Sequence, residues 1–191
     1  MEVPTDSPAD TARAMGLCIS GMADAFEAIR PDMVVILGDR YEMLATASAA
    51  SVMRIPIVHI AGGERTDGAI DDSIRHAITK LASLHLVSTE EYRRRVIQLG
   101  ENPERVINTG AIGVYNAMAI PQMSRQEIEQ SLGMPVDSRT LVVTYHPATL
   151  DDADVASRFR ALLEAIDQFP KSNVIITYPN NDARGQVIID L

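Results

Sequence analysis

The stretch that decides the fold is His59-Ile-Ala-Gly-Gly-Glu-Arg-Thr-Asp-Gly-Ala-Ile-Asp-Asp-Ser-Ile-Arg-His76. The apolar run over residues 55–60 predicts a β-strand, the Gly62-Gly63 pair predicts a turn, and the residues from Ile70 onward predict an amphipathic helix. In open α/β sheets, ligands bind beyond the carboxyl ends of the strands, at turns of this kind. The turn carries more ionisable side chains than its structure requires, and we interpret it as one wall of an active site. These side chains are His59, Glu64, Arg65, Asp67, Asp71, Asp72 and Arg75.

Alternating strand and helix patterns continue along the chain and predict an α/β fold. Such alternation is typical of parallel βαβ units with right-handed crossovers, and therefore of Rossmann-like domains. The run over 33–37 is apolar throughout, which is typical of a parallel strand covered by helices on both faces. Strands are predicted over 33–37, 55–60, 84–87, 106–108, 141–145 and 174–177, and helices over 5–29, 41–53, 70–84, 88–99 and 151–169.

The alternation is weakest between residues 116 and 138, where we predict a boundary between two domains. Capping boxes are predicted at Ser88–Glu91 and at Ser124–Glu127, and the second of these begins a short helix within the boundary region. The predicted division is 1–120 as part of an N-terminal Rossmann-like domain, 121–138 as the interdomain connection, and 139–191 as the start of a C-terminal Rossmann-like domain.

Composition and charge argue against several classes of function. A formal net charge of -9 leaves no basic stripe for nucleic acid. No apolar run approaches the roughly 20 residues that cross a bilayer, so we expect no membrane partner. The N-terminus lacks the features of a signal peptide. The single cysteine, Cys18, has no partner for an internal disulfide, which favours the reducing cytoplasm.

Several ionisable residues follow predicted strands and therefore share one edge of a sheet. Each also has a purely structural interpretation. Asp39 is suited to cap the next helix, and His59 to be a hydrogen-bonded core histidine. Asp71 and Arg75 are spaced for an exposed i,i+4 ion pair. Because unlike groups, including His146, converge on the ligand-facing edge, we favour a site at this edge. The capping role of Asp39 stays open, and for His59 the core-histidine interpretation is favoured over a catalytic role.

A metal or dinucleotide site has little support in the sequence. The histidines lack the close spacings of metal ligands, and Gly62-Gly63 does not form the GxGxxG fingerprint. We therefore expect neither a metal nor another cofactor.

Four segments combine glycine and ionisable residues in a distinctive way. They are Gly38-Asp-Arg-Tyr-Glu42, His59-Ile-Ala-Gly-Gly-Glu64, Gly68-Ala-Ile-Asp-Asp-Ser-Ile-Arg-His-Ala-Ile-Thr-Lys80 and Val143-Thr-Tyr-His-Pro147. Together they closely resemble the hydrolysing UDP-N-acetylglucosamine 2-epimerases of sialic and legionaminic acid biosynthesis, along nearly the whole chain. The resemblance implies Rossmann-like domains of the glycosyltransferase type B (GT-B) architecture, with substrate in the interdomain cleft. Because members of that family are much longer, it also implies that both domains are incomplete here.

The activity that this resemblance implies is loss of UDP from UDP-N-acetylglucosamine, or from a related nucleotide-activated acetamido sugar, through a glycal intermediate. Hydration of the glycal then gives N-acetylmannosamine or its analogue. The implied partner is the nucleotide-sugar, and we expect a homo-oligomer for the full-length form. The motifs do not separate UDP-N-acetylglucosamine from diacetylated bacillosamine derivatives.

The resemblance also implies roles for individual residues. Asp39 and Asp71 match carboxylates of the family's acid/base group, and Arg75 and His146 match positions able to stabilise the departing diphosphate. Ala61 departs from the family, which commonly has glutamate or histidine at that position, so we add the nearby Glu64 to the catalytic set. The predicted substrate-binding residues are Arg40, His59, Gly62, Gly63 and Asn181.

Two other functions stay open. A non-hydrolysing epimerase would leave UDP on the sugar, but the run from Ile70 to Arg75 favours the hydrolysing branch. A non-catalytic truncated remnant or assembly module is the second alternative, favoured by the length of the chain and by Ala61. Since strand 33–37 would be an exposed edge, we expect the isolated 191-residue chain to self-associate or to be poorly soluble, and to lack activity.

Overall fold

The computed structural model describes residues 7–147, 154–179 and 185–191. The chain forms two compact units, Met1–Ala119 and Ile120–Leu191. The first unit contains a four-stranded parallel sheet whose strands lie side by side in chain order. Its strands are β1 (Val34–Leu37), β2 (Ile57–Ile60), β3 (Leu84–Val87) and β4 (Val106–Asn108), and its helices are α1 (Pro8–Ile29), α2 (Tyr41–Val52), α3 (Asp71–Leu81), α4 (Glu90–Gln98) and α5 (Ile112–Ala119), with a short 3₁₀ helix at Pro103–Arg105.

Helix α3 carries the ionisable stretch and packs against the core. Ile74 and Ile78 recur at helical spacing and are buried. Arg75 and Thr79, each one position further along, are also buried. Two aspartates occupy the first turn, where the helix dipole stabilises negative charge. Burial of Ile74 and Ile78 therefore places the Arg75 guanidinium and the Thr79 hydroxyl beside the sheet.

One face of the sheet carries the main core. Ile36, His59, His85 and Val106 are register partners across the four strands and form one row on this face. Helix α4 docks through Val96 against the end of the row. The main cluster comprises Phe26, Ile36, Ala47, Ala49, Ala50, Ile57, Ile74 and Ile78, and the cluster under α4 comprises Val87, Val96 and Val106.

The opposite face of the sheet is open at β1. Leu37, Ile60 and Leu86 are register partners and form a row on that face. Val35 and Leu37 are 59% and 56% exposed, because α1, α2 and α3 pack on the side of Ile36. This corrects the expectation that strand 33–37 is covered on both faces. The strand does lie at the edge of the sheet, as predicted, while self-association of the chain stays a prediction.

The second unit is a smaller α/β arrangement. Its two strands pair in parallel, and two helices bury Val155, Phe159 and Ile188 in a small core. The predicted capping box is present: the Ser124 hydroxyl accepts from the Glu127 N–H, and the Glu127 carboxylate accepts from the Ser124 N–H. The elements of this unit are α6 (Arg125–Leu132), β5 (Leu141–Val143), α7 (Val155–Ile166), β6 (Val174–Ile176) and α8 (Gly185–Ile189).

Three predicted details differ from the structure. The N-cap of α4 is Thr89, whose hydroxyl accepts the N–H of Tyr92 at 3.2 Å, so the capping box predicted at Ser88 is wrong. Helix α5 was not predicted, because its sequence, IGVYNAMA, is apolar on nearly every side and shows no helical alternation of apolar and polar residues. The predicted helix 151–169 begins with residues 151–153, which lie outside the described residues, and is otherwise shortened to α7.

The α/β class with parallel sheets is confirmed. In the part of the chain that the structure describes, no helix is both long enough and apolar enough to cross a membrane.

Candidate active site

The candidate site is built around an ion pair between Asp39 and Arg75. Asp39 follows β1 through Gly38, whose φ of 82° belongs to the left-handed region that glycine adopts without strain. Arg75 lies one turn into α3, and its Nη2 donates to the Asp39 carboxylate. The Arg75 side chain is 4% exposed and that of Asp39 is 23% exposed. The pair therefore leaves the carboxylate accessible and keeps the cation buried.

Two further residues hold the Arg75 guanidinium in place. Its Nη2 donates to the Thr66 hydroxyl at 2.8 Å, and its Nη1 donates to Asp72 Oδ1 at 3.4 Å. The same Asp72 oxygen accepts the Thr66 N–H at 3.1 Å, which ties the loop before α3 to the ion pair. Since two carboxylates face one guanidinium, the charge of Arg75 is balanced within the protein.

The structure excludes the alternative role of Asp39 as a helix cap. The N-cap position of α2 belongs to Arg40, which makes no side-chain capping bond. Arg40 is half-buried, and its guanidinium donates to the Glu42 carboxylate at 3.3 Å. Asp39 is therefore committed to Arg75, while Arg40 lies beside the amino end of α2.

His59 joins the end of β1 to α3. Its Nε2 lies 2.9 Å from the Gly38 carbonyl oxygen and its Nδ1 lies 3.2 Å from the Thr79 hydroxyl. Because a carbonyl only accepts, we assign the ring proton to Nε2. Burial lowers the pKa of His59 to about 4, against the opposing effect of the bond to Gly38, so the ring is neutral near pH 7.

The side chain of His59 is completely buried, and its predicted contact with substrate stays a prediction. Both ring nitrogens are already engaged by protein atoms. Its role in this structure is to fix Gly38, and with it the neighbouring Asp39, against α3. This is the core-histidine alternative considered from the sequence.

The Gly62-Gly63 turn is explained by close packing. A Cβ on Gly63 would lie 2.5 Å from the carbonyl oxygen of Tyr92, and φ at this glycine is 80°. A Cβ on Gly62 would lie 3.1 Å from His59 Nδ1. Arg95 of α4 also donates to the Gly63 carbonyl. The turn is thus held against α4 and His59, and its predicted contact with substrate stays a prediction.

A cavity of about 300 Å³ lies at the carboxyl edge of the sheet. Its floor is the row of Leu37, Ile60 and Leu86 on the open face. Glu64 is the one ionisable side chain among the described residues that line it. The Ser88 hydroxyl donates to Glu64 Oε1 at 2.8 Å. The remaining lining residues are Ala61, Ser88, Gly110, Ala111, Ile112, Gly113 and Asn116.

Four residues of the predicted catalytic set, Asp39, Glu64, Asp71 and Arg75, follow β1 or β2 at the carboxyl edge of the sheet. Asp39 and Arg75 meet directly, and Glu64 lines the neighbouring cavity. Asp71 is the first residue of α3, half-buried and four residues before Arg75. Within α3, Asp72 accepts from Arg75; the sequence analysis included Asp72 in this wall of the site but gave it no role of its own.

The remaining predicted residues are His146 and Asn181. His146 belongs to the second unit, where it is exposed beyond the end of β5. Asn181 lies outside the described residues. Among the residues that the structure describes, no three or more His, Cys, Asp or Glu side chains are grouped to hold a metal ion.

Sequence reasoning missed Thr66 and Ser88. Neither stands out by charge, and Ser88 resembled a helix cap because an acidic pair follows it. Its position just beyond β3, on the same edge as Asp39 and Glu64, was the available signal.

Comparison with known proteins identifies the family. The family model described as UDP-N-acetylglucosamine 2-epimerase matches residues 1–191. The chain belongs to this family. This confirms the resemblance seen in the four distinctive segments.

Two curated relatives of this epimerase chain are closely similar. A GDP/UDP-N,N'-diacetylbacillosamine 2-epimerase (hydrolyzing) of Campylobacter jejuni is 42% identical over 97% of this chain and 48% of its own length. Polysialic acid biosynthesis protein P7 of Escherichia coli is 41% identical over 99% of this chain and 48% of its own length. The chain spans about half the length of the curated relatives it matches.

Solved structures support the fold of the epimerase chain. The UDP-GlcNAc 2-epimerase of Neisseria meningitidis, in a crystal structure with UDP-GlcNAc, superposes with a TM-score of 0.75 at 21% identity. The match covers 100% of this chain and 53% of that one. A second epimerase, from Rickettsia bellii, gives a TM-score of 0.72 at 20% identity, covering 97% of this chain and 49% of its own. The predicted fold, parallel Rossmann-like sheets of the GT-B type, is therefore confirmed.

Proposed function

We propose that the native full-length polypeptide is a hydrolysing 2-epimerase. It takes a UDP-activated acetamido sugar and releases UDP together with the free 2-epimer, N-acetylmannosamine or its analogue. Relatives described as hydrolysing diacetylbacillosamine 2-epimerases are 42% and 36% identical to the chain. A relative described as a UDP-N-acetylglucosamine 2-epimerase, from Neisseria meningitidis, is 32% identical. The two relatives described as hydrolysing support the hydrolysing reaction.

The proposed reaction is redox-neutral and consumes one water molecule. A base takes the proton from C2, the bond between C1 and the diphosphate oxygen breaks, and the C2 electron pair forms the C1–C2 double bond of the glycal. Water then adds its oxygen to C1, while C2 receives a proton on the opposite face. Two positioned proton-transfer groups and stabilisation of the leaving diphosphate are therefore required.

The observation that carries the proposal is the accessible Asp39 carboxylate fixed by a buried Arg75. A base that removes a weakly acidic proton must be held in one position, and the ion pair supplies that constraint. We assign Asp39 and Asp71 to the acid/base group, with Glu64 in the adjoining cavity as a third carboxylate. Carboxylates on different strand ends are suited to serve opposite faces of one sugar ring.

Stabilisation of the leaving diphosphate is the role that the family resemblance implies for Arg75. Because Arg75 is buried and faces both Asp39 and Asp72, we assign it instead to positioning Asp39 and propose further cations for the diphosphate. Arg40 stands at the N-terminus of α2, where backbone N–H groups also favour anions. We assign Arg40 and His146 to the diphosphate.

The cavity beside Glu64 is proposed to receive the sugar. Its apolar floor of Leu37, Ile60 and Leu86 suits the C–H face of a pyranose and its acetyl groups. The names of the Campylobacter and Escherichia relatives favour a role in sialic or legionaminic acid biosynthesis. The full proposal includes a cytoplasmic location, a homo-oligomer and the division into 1–120, 121–138 and 139–191.

Turnover by the native full-length polypeptide tests the proposal. UDP-N-acetylglucosamine and UDP-N,N'-diacetylbacillosamine are supplied separately in D₂O, free UDP is measured by a coupled assay, and the sugar is identified by NMR. We expect free UDP, a free 2-epimer and deuterium at C2. Asp39→Asn should lower kcat by about 10²–10⁴-fold, and Asp24→Asn, at an exposed site on α1, should not.

Each alternative function has its own result in this assay. A 2-epimer that still carries UDP would establish the non-hydrolysing reaction. Absence of turnover with both substrates would refute the enzyme proposal and favour a non-catalytic module.

A further inference from the structure

We propose that Ser88 is a positioning residue that holds the Glu64 carboxylate at the cavity for proton transfer. The inference rests on the proposed function, because it concerns how one of the proposed carboxylates is presented to the sugar. Ser88 lies just beyond β3, and its Oγ–H donates to Glu64 Oε1 at 2.8 Å across 24 residues of sequence.

Ser88 is available for this contact because it does not cap a helix. The adjacent Thr89 performs that task by accepting the Tyr92 N–H. Thr89 therefore stabilises the start of α4, while Ser88 donates its hydrogen bond to Glu64 in the turn after β2. A purely local role in the start of α4 therefore does not explain Ser88.

The backbone and the side chain of the turn are anchored separately. The backbone at Gly63 is fixed by the bond from Arg95 and by its close approach to Tyr92. These contacts do not restrict the three rotatable bonds of the Glu64 side chain. The bond from Ser88 does, and it is the only hydrogen bond that the structure records for this carboxylate among the described residues.

The residues that line the cavity offer the Glu64 carboxylate few other polar contacts, so the hydrogen bond from Ser88 determines its position. Apart from Glu64, Ser88 and Asn116, the described residues that line the cavity are apolar or glycine. Without the hydroxyl, the carboxylate would gain hydration by rotating towards solvent, because apolar walls do not replace lost water. Holding it at the cavity therefore requires a protein donor.

A hydroxyl is suited to a carboxyl group that cycles between protonation states. It donates to the ionised carboxylate and accepts from the protonated acid, so the contact with Glu64 survives both halves of a proton transfer. The contact engages Oε1, and it leaves Oε2 for the substrate. Ser88 thus positions Glu64 without itself exchanging a proton with the sugar.

Kinetics of the native full-length polypeptide test the inference. Ser88→Ala should lower kcat by about tenfold or more, the effect of losing a hydrogen bond to a charged group, with KM little changed. Ser88→Thr keeps a hydroxyl and should restore most of the activity. Ser83→Ala, at an exposed position just before β3, is the matched control and should be unchanged.

A double-mutant cycle separates positioning from a structural role. In a Glu64→Gln background, Ser88→Ala should have no further effect on kcat, because both changes act through one carboxylate. Thr89→Ala should lower the melting temperature by loss of the α4 cap without the kcat effect of Ser88→Ala.

Two results would overturn the inference while leaving the proposed function intact. One is an active wild type with unchanged kcat in Ser88→Ala. The other is Ser88→Ala and Glu64→Gln effects that multiply fully in the double variant. No turnover by the wild type would instead refute the proposed function, and this inference would fall with it.

Discussion

Arg75 of α3 donates to the carboxylate of Asp39, which lies 36 residues earlier at the end of β1. Because of this contact, the position of Asp39, the proposed base, depends on the packing of α3 against the sheet. His59 strengthens the same junction, since it bonds Gly38 on one side and meets Thr79 of α3 on the other. Stability of the first unit and geometry of the site are therefore coupled at these residues.

Arg75→Met should destabilise the protein as well as inactivate it. Removing one partner of a buried ion pair leaves the other without its counter-charge, at a cost of about 3–5 kcal/mol. Because Asp39 is partly exposed, we expect the lower end, about 3 kcal/mol. Urea unfolding of the native full-length polypeptide measures the change. Arg94→Met, at an exposed site on α4, is the matched control, and equal unfolding free energies for the two variants would contradict the prediction.

Asp71→Asn and Asp72→Asn should separate chemistry from structure. Asp71→Asn removes a proposed acid/base group with little change of volume, so kcat should fall by about 10²–10⁴-fold. Asp72 accepts from Arg75 and from the Thr66 N–H, so Asp72→Asn should cost about 1 kcal/mol of stability and much less turnover. Steady-state kinetics and urea unfolding on both variants test the pair, and wild-type kcat in Asp71→Asn would remove that residue from the mechanism.

Stability should fall on acidification in a way that depends on His59. Burial depresses the pKa of His59 from 6.5 to about 4, so the unfolded chain takes up a proton at a higher pH than the folded one. The stabilising effect of the neutral ring is complete above pH 6.5 and is lost between pH 6.5 and 4, by about 3 kcal/mol at most. Burial also lowers the pKa of His85, with the same sign.

Unfolding free energies measured across this range, for wild type and His59→Gln, isolate the effect, since the carboxylates titrate in both. The slope should be shallower in the variant. His146→Gln, at an exposed site in the second unit, is the control. Parallel curves for wild type and His59→Gln would show that the histidine does not couple to folding.

Ala61→Gly should stabilise the protein. Ala61 has a φ of 66°, a conformation that costs an L-residue roughly 1–2 kcal/mol and costs glycine nothing. After the entropy that glycine adds to the unfolded chain, a gain of about 0.5–1 kcal/mol is expected. Ala77→Gly, inside α3, should change stability in the opposite direction by about 1 kcal/mol. A loss of stability in Ala61→Gly would mean that the alanine methyl packs favourably in the cavity.

Ala61→Glu is the corresponding activity test. It places a carboxylate where the resembled family commonly has one, in the wall of the cavity that already holds Glu64. A rise in kcat would show that a carboxylate is missing from that position. Loss of activity in Glu64→Gln, with no gain from Ala61→Glu, would show that Glu64 has taken over the role.

The sequence by itself determined the alternation of strands and helices, the parallel α/β class and the family. Apolar periodicity reports which residues an element buries, and in α3 the pattern of Ile74 and Ile78 did so correctly. Helix α5 was not predicted from the sequence. Its residues are all exposed in the structure, and they show no such periodicity. The motif from Gly68 to Lys80 contains Arg75, which pairs with Asp39 in the candidate site.

Only the tertiary structure decided which of those residues face a ligand and which hold the others. His59 and Ile60 are neighbours, yet strand alternation sends the histidine into the core and the isoleucine to the cavity floor. Pairings such as Ser88 with Glu64 join strand ends that lie 24 residues apart. They follow from sheet register and helix docking, which depend on the packing of the whole unit, and local sequence patterns do not encode them.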